Sequence, residues 1–228
     1  MWSERIIYKA AREITCLIII LFEGWINMKI PLFPLQTVLF PGGPLSLRVF
    51  ERRYLDMVSD SLSSDQLFGI ILNKQSSSND ANNFCKIGVL AQIVDWDQGS
   101  DGVLGLQVIG KERFLLSNHY VAEDGLNMGE IKILEPEKKL LLPQEYTTLS
   151  AILESILHEF SELYTSVKKD FNDASWVGYR LAEILPIEVS QQQIYLEIEE
   201  PLDRLELLKT FMTANQNFMK MPKDSTLQ

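Results

Sequence analysis

The 228-residue chain has few of the side chains that most often carry chemistry: two cysteines and two histidines. Cys16 and Cys85 lie far apart and no C-x-x-C pair exists, which excludes a zinc knuckle and a paired-thiol redox centre. Cys85 reads as a small buried or half-buried residue rather than a nucleophile. Two free thiols fit a reducing, cytoplasmic compartment. His158 opens the stretch HEFSE, but a helical zinc site needs a second histidine where Glu162 stands, and the other histidine is the distant His119. No G-x-S-x-G elbow presents a serine. With 31 Asp and Glu, carboxylate pairs carry no information about glycosidase chemistry. Long apolar runs are missing too. The longest, Ile14 to Phe22 with Thr15 inside it, falls well short of the ~20 residues of a membrane span, so no stable membrane insertion is expected. Basic charge is also scarce. Lys and Arg total 21, for a net charge of −10, and residues 135–228 hold 16 acidic groups against 9 basic ones. An acidic surface repels phosphate backbones, so nucleic acid is not the expected partner.

The composition nonetheless supports a substantial core, since 46% of the residues are hydrophobic, enough for one large domain or two small ones. Residues 1–27 form an odd leader. Arg5, Lys9 and Arg12 precede its apolar run as in a signal peptide, but Glu23-Gly24-Trp25-Ile26 offers no small-x-small cleavage site. The leader is read as a translation start placed too early, or as a weak apolar segment, and Met28 as the start of the folded chain. From 28 to 136 the signals are β-type. Pro31, Pro34, Pro41 and Pro44 restrict any opening strand to an edge or an interrupted one. Phe40 to Pro44, FPGGP, is a turn, and Leu45, Leu47 and Val49 alternate as in a half-buried strand. Tyr54, Met57, Val58 and Leu62 predict one short helix over about Glu51 to Ser61. Strands are predicted at Leu67 to Asn73, Ile87 to Val94, Val103 to Ile109, Arg113 to Leu116 and Gly129 to Leu134. Asp101-Gly102 lies in the tip of the Asp95–Gly102 hairpin or in its descent, a turn follows at Gly110-Lys111, and Ser76 to Asn83 is a polar loop.

After Pro136 the period changes. Residues 137–220 read as a helical bundle, with 221–228 as a frayed tail. One stripe runs through Leu149, Ile152, Leu153, Ile156, Phe160, Leu163 and Tyr164. A second, Val177 to Leu185, has Asp173 as N-cap and Pro186 as its stop. Ser190 is the expected cap of a third helix, and Pro201 opens a fourth carrying Leu202, Leu205, Leu208, Phe211 and Met212.

Three local matches to functional motifs fail on physical grounds. GLQVIGKE, Gly105 to Glu112, fits G-x-x-x-x-G-K, but Leu104, Leu106 and Val108 alternate as a strand does. A phosphate loop needs free backbone N–H groups and a following helix. Glu112 also stands where Ser or Thr would hold magnesium. DWDQGSDG, Asp95 to Gly102, breaks the calcium-loop pattern, with Ser100 in the glycine slot and Leu106 in the final glutamate slot. Arg48, Arg52 and Arg53 resemble a phosphate patch, but Glu51 and Asp56 lie beside them as local ion-pair partners. No catalytic residue, cofactor or metal is therefore expected.

Several stretches together resemble a known family. Pro31 to Leu35 (PLFPL), Val38 to Leu45 (VLFPGGPL) and Phe50 to Tyr54 (FERRY) are followed by KIGVLAQIVDWDQGSDGVLGLQVIGKERF and LAEILPIEVSQQQIYLEIEEPLDRLELL. They resemble the Lon protease N-terminal domain family, especially its free-standing bacterial members, over about residues 28–218. The resemblance implies an α+β fold: a PUA-like antiparallel β pseudo-barrel with one short helix, then a C-terminal α-helical bundle. It also implies a non-catalytic polypeptide-binding module. The ATPase and protease modules of the full protease lie downstream, and this chain ends where they would begin. Expected partners are unfolded or exposed polypeptide segments, with a protease or chaperone as a further class. Phe50, Glu51, Arg53 and Tyr54 match the family signature and are the candidate binding residues. The alternative is a small-ligand or RNA-binding module, work that PUA-like barrels do elsewhere.

Overall fold

The structure, a computed structural model, describes residues 28–64, 66–74, 84–99, 103–159, 164–165 and 167–215. The leader, the Ser76–Asn83 loop, the Asp101-Gly102 tip, Phe160, Leu163 and the tail lie outside these residues. Six strands are described: β1 (Met28–Leu35), β2 (Pro44–Val49), β3 (Phe68–Leu72), β4 (Ile87–Gln98), β5 (Leu104–Val121) and β6 (Asn127–Ile133). Five α-helices accompany them: α1 (Arg52–Ser64), α2 (Thr147–Glu159), α3 (Ala174–Ile184), α4 (Val189–Glu197) and α5 (Pro201–Ala214).

The sheet order is β2-β5-β4-β3-β1-β6, and a further β5–β6 pairing closes five of the strands into a barrel with β2 appended outside. The pairings are antiparallel except β1 with β3. That exception follows from connectivity, because β2 and α1 lie between them as a crossover. Pro31 and Pro34 are accommodated by dividing β1. Met28–Leu32 pairs with β6 and Leu32–Leu35 with β3, so each half is bonded on one side and has an open side for a missing N–H.

β5 corrects the sequence reading. It runs unbroken for 18 residues, so the turn predicted at Gly110-Lys111 does not exist. Residues 104–109 pair with β2, residues 104–115 with β4 and residues 114–121 with β6. Gly110 is needed for closeness: it donates to the Gly43 carbonyl at 2.9 Å and accepts from Gly42 N–H at 2.8 Å. The FPGG turn, with Gly42 at φ 69°, thus lies directly on the strand.

The barrel interior is filled by Ile30, Leu32, Ile71, Leu90, Phe114 and Ile131. Glycines on three strands make room for them. A methyl on Gly88 would lie 2.4 Å from the Phe114 ring, and one on Gly69 or Gly129 would lie 2.9 Å from Leu32. The outer face joins a larger core that passes from Phe68 and Val89 through Tyr54 and Met57 of α1 to Leu153, Leu181 and Leu208 of the C-terminal helices. Sheet and helices therefore share one continuous core.

The helices follow their end signals unevenly. α1 buries Tyr54, Met57, Val58 and Ser61, while Leu62 is exposed, so the apolar face is one residue narrower than predicted. α3 is capped by Asp173, which accepts from Ser175 N–H at 3.0 Å. Pro201 opens α5, where its missing N–H costs nothing. Ser190 does not cap α4; the helix starts at Val189 and Ser190 lies within its first turn. Removing the α3 cap with Asp173→Ala is expected to lower stability by about 1 kcal/mol, measured as a shift in the urea midpoint with an unchanged slope.

Candidate functional site: the cleft at the barrel–helix seam

Between β5, the segment leaving β6 and the start of α3 lies a cleft of about 230 Å³. Lys111, Glu112 and Glu135 stand on one side, and Asp173 and Trp176 on the other. Its wall is charged because β5 alternates. Arg113, registered with Val89, lies on the helix-facing side of β5, opposite to Phe114, and is buried, while Glu112 is exposed.

The floor is an ion cluster centred on Glu137, whose side chain is 6% exposed. Arg204 Nη2 donates to Glu137 Oε1 at 2.5 Å and Nη1 to Oε2 at 3.1 Å. Arg113 Nη2 lies 3.4 Å from Oε1. The hydroxyls of Ser175 and Tyr179 also donate to Glu137. Both arginines reach on to backbone. Arg113 Nη1 donates to the carbonyls of Leu196 (2.8 Å) and Ile198 (3.0 Å), and Arg204 Nε donates to that of Tyr195 (2.9 Å). The Arg204 guanidinium also stacks 3.8 Å from the Tyr179 ring centroid. Burial pushes the Glu137 carboxyl up, but the Arg204 hydrogen bonds and charge, with Ser175 and Tyr179, bring it below the usual range. Burial, together with the Glu137 charge and hydrogen bond, outweighs the nearby arginines and raises the Tyr179 phenol. A carboxylate this fully engaged holds β5, α3, α4 and α5 together rather than moving protons.

A second cluster ties the FPGG turn to α3. Arg180, with no exposed surface, donates to the Pro41 carbonyl at 2.9 Å and lies 2.9 Å from Glu183 Oε2. Tyr164 donates to the other Glu183 oxygen. Burial dominates here and raises the Glu183 carboxyl against Arg180 and Tyr164.

None of the four residues of the Phe50–Tyr54 signature lines the cleft. Tyr54 is buried against Phe33, ring centroids 4.3 Å apart. Arg53 donates to Glu51 at 2.6 Å and to the Gly125 carbonyl at 2.9 Å, fastening the β5–β6 turn. Phe50 alone of the four is an apolar side chain presented to solvent, at 71% exposure. Sequence reading missed Glu137, Arg113, Arg180, Glu183 and Arg204. One signal was available: Arg204 falls on the buried stripe of α5 with Pro201, Leu205 and Leu208, where a charge requires a partner.

Apolar surface borders the cleft. Leu140–Leu142 runs beside Asn172–Ala174, with Ala174 N–H donating to Leu140 and Leu142 N–H to Asn172, each at 2.8 Å. This leaves Leu141 78% exposed opposite Asp173. Cys85 is buried, and burial raises its thiol. Among the described residues no group of His, Cys, Asp and Glu could hold a metal ion, and no helix is long and apolar enough to cross a membrane.

The fold and the site define a barrel-and-bundle domain with a cleft along its seam, lined by charged side chains together with Trp176 and Tyr179. The chain belongs to the ATP-dependent protease La (LON) substrate-binding domain family, whose model matches residues 29–214. A Lon N-terminal domain protein from Xanthomonas campestris is 35% identical and superposes with a TM-score of 0.66, over 86% of this chain and 99% of that one. The N-terminal domain of a Mycobacterium avium complex Lon protease shares the fold, with 17% identity and a TM-score of 0.58 over 82% of this chain and all of that one. The Lon protease of Buchnera aphidicola subsp. Schizaphis graminum is 23% identical over 206 residues, 86% of this chain and 26% of that protein. The chain thus spans about a quarter of the length of the relatives with protease names.

Proposed function

We propose that this chain is a polypeptide-binding module that captures exposed segments of other proteins without ATPase or protease chemistry of its own. The observation that carries this reading is the match to a substrate-binding domain family across residues 29–214. The seam cleft supports it, since it is edged by Leu140 and Leu141 and faced by Glu112, Glu135 and Asp173. Apolar contact supplies affinity, and the acidic rim favours basic segments. The same carboxylates disfavour a phosphate-bearing ligand. Of the signature residues, Phe50 is assigned a direct contact, and Glu51, Arg53 and Tyr54 a supporting role.

The test uses labelled, reduced and carboxymethylated α-lactalbumin, a chain that stays unfolded without denaturant. Fluorescence anisotropy is expected to show saturable binding to this protein. Leu141→Ser is expected to weaken it roughly tenfold through the loss of one apolar contact. Absence of binding by the unaltered chain defeats the reading.

A further inference from the structure

Besides the open sides of the two short halves of β1, two further strand edges are open among the described strands, and they differ in kind. The first is the far half of β4. Beyond Ala91 it pairs with β5 alone, but it is bulged between Ile93 and Asp95 and carries Asp95 and Asp97. Bulges and charges are how proteins protect an edge from pairing. The second is β2, which pairs with β5 through six consecutive residues without a register shift. Leu47 and Val49 face inward and are buried, and Ser46 and Arg48 face outward.

The ladder phase fixes which backbone groups point away from the sheet. Gly110 N–H bonds the Gly43 carbonyl, so in an antiparallel pair Leu45, Leu47 and Val49 bond toward β5. Pro44 and Ser46 then turn their backbone outward. Pro44 fits this phase, because it has no N–H to lose there. The Ser46 N–H and C=O are therefore presented along a regular edge. The edge ends at the exposed ring of Phe50.

We propose that β2 is a strand-addition site: an extended polypeptide segment pairs with it through the Ser46 N–H and C=O. The occupant carries apolar residues beside Leu47 and Val49 and an apolar residue on Phe50. An added strand places its side chains directly across from those of β2. The inference rests on the polypeptide-binding reading and gives it a second, backbone-mediated contact.

Hydrogen exchange with carboxymethylated α-lactalbumin as the probe tests it. Exchange at the Ser46 amide is expected to slow at least tenfold on adding the probe. Ser46→Pro removes that donor without touching the β5 ladder and is expected to weaken probe binding about tenfold. Ser46→Ala, which removes the hydroxyl that donates to Gln107 at 3.0 Å, is expected to bind normally. If Ser46→Pro unfolds, the exchange measurement on the unaltered chain decides. Slowing confined to residues 111–113 and 135–137 overturns strand addition and leaves the cleft reading standing. No binding anywhere overturns both. Ser46 protection without the probe, whether lost on dilution as for a second copy of this chain or independent of concentration, also overturns it.

Discussion

Glu137→Gln is expected to cost roughly 3–5 kcal/mol of folding stability, because it leaves two buried guanidinium groups without their counter-charge. Arg204 has no exposed surface and Arg113 is 7% exposed, so neither can recover the loss by turning to water. The substitution preserves shape, so the loss reports charge rather than packing. Urea unfolding near neutral pH measures it. Adding Arg204→Met to Glu137→Gln is expected to restore part of the stability, since it removes one of the stranded charges. An additive double mutant would show that the two side chains act independently. The acid limb supplies the sign. Glu137 has a folded-state pKa below its unfolded value, so its contribution is present above about pH 4.3. It is lost as pH falls through the lower, folded value. Glu183 behaves oppositely. Its folded-state pKa is raised, so its contribution is complete below the unfolded value and declines as pH rises through the folded one. Below about pH 4.3 the Glu137→Gln variant should therefore lose stability less steeply than the unaltered chain.

What could be read in the sequence was local. Alternation along Leu45–Val49, the α3 cap at Asp173 and the proline start of α5 are each written in a few adjacent residues, and each appears where it was expected. The α+β order followed from the change of period near Pro136. What could not be read was long-range closeness. Gly110 resembles a turn residue because glycine usually is one, and nothing nearby shows that Phe40 will sit on it. Glu137 lies in a charged run, Glu135 to Lys139, at the boundary between the expected β domain and the expected bundle. Its partners, at positions 113, 175, 179 and 204, come from three separate elements. Buried charge of this kind is nearly invisible to a pattern reading, which assigns charged residues to the surface by default. The signature residues Glu51, Arg53 and Tyr54 turn out to be engaged with the fold itself. A recurrent motif can thus mark a folding requirement as readily as a binding contact.

The two glycines of GLQVIGKE are expected to respond very differently to alanine. Neither has the positive φ that favours glycine, so space alone decides. At Gly110 a methyl would lie 2.2 Å from the Phe40 carbonyl oxygen and 3.0 Å from its carbon. Both are backbone atoms, held in place by the Gly43–Phe40 bond at 2.9 Å and by the Pro41 carbonyl's bond to Arg180. Gly110→Ala must lift the FPGG turn off β5 and strain the Arg180–Glu183–Tyr164 cluster behind it. The expected cost is about 3 kcal/mol, at the upper end for overpacking. At Gly105 the methyl would meet Asp97 Oδ1 at 2.5 Å, the tip of an exposed side chain that can swing into water. Gly105→Ala is expected to change stability by less than about 1 kcal/mol, since a strand gains from losing a glycine what the displaced carboxylate gives up. Thermal melts of the two variants measure both effects. Equal destabilisation would mean that both positions answer to strand propensity rather than to the contact with Phe40. The expected asymmetry also distinguishes this stretch from a phosphate loop: Gly110 is there to admit another piece of the same chain's backbone, and Gly105 could be dispensed with.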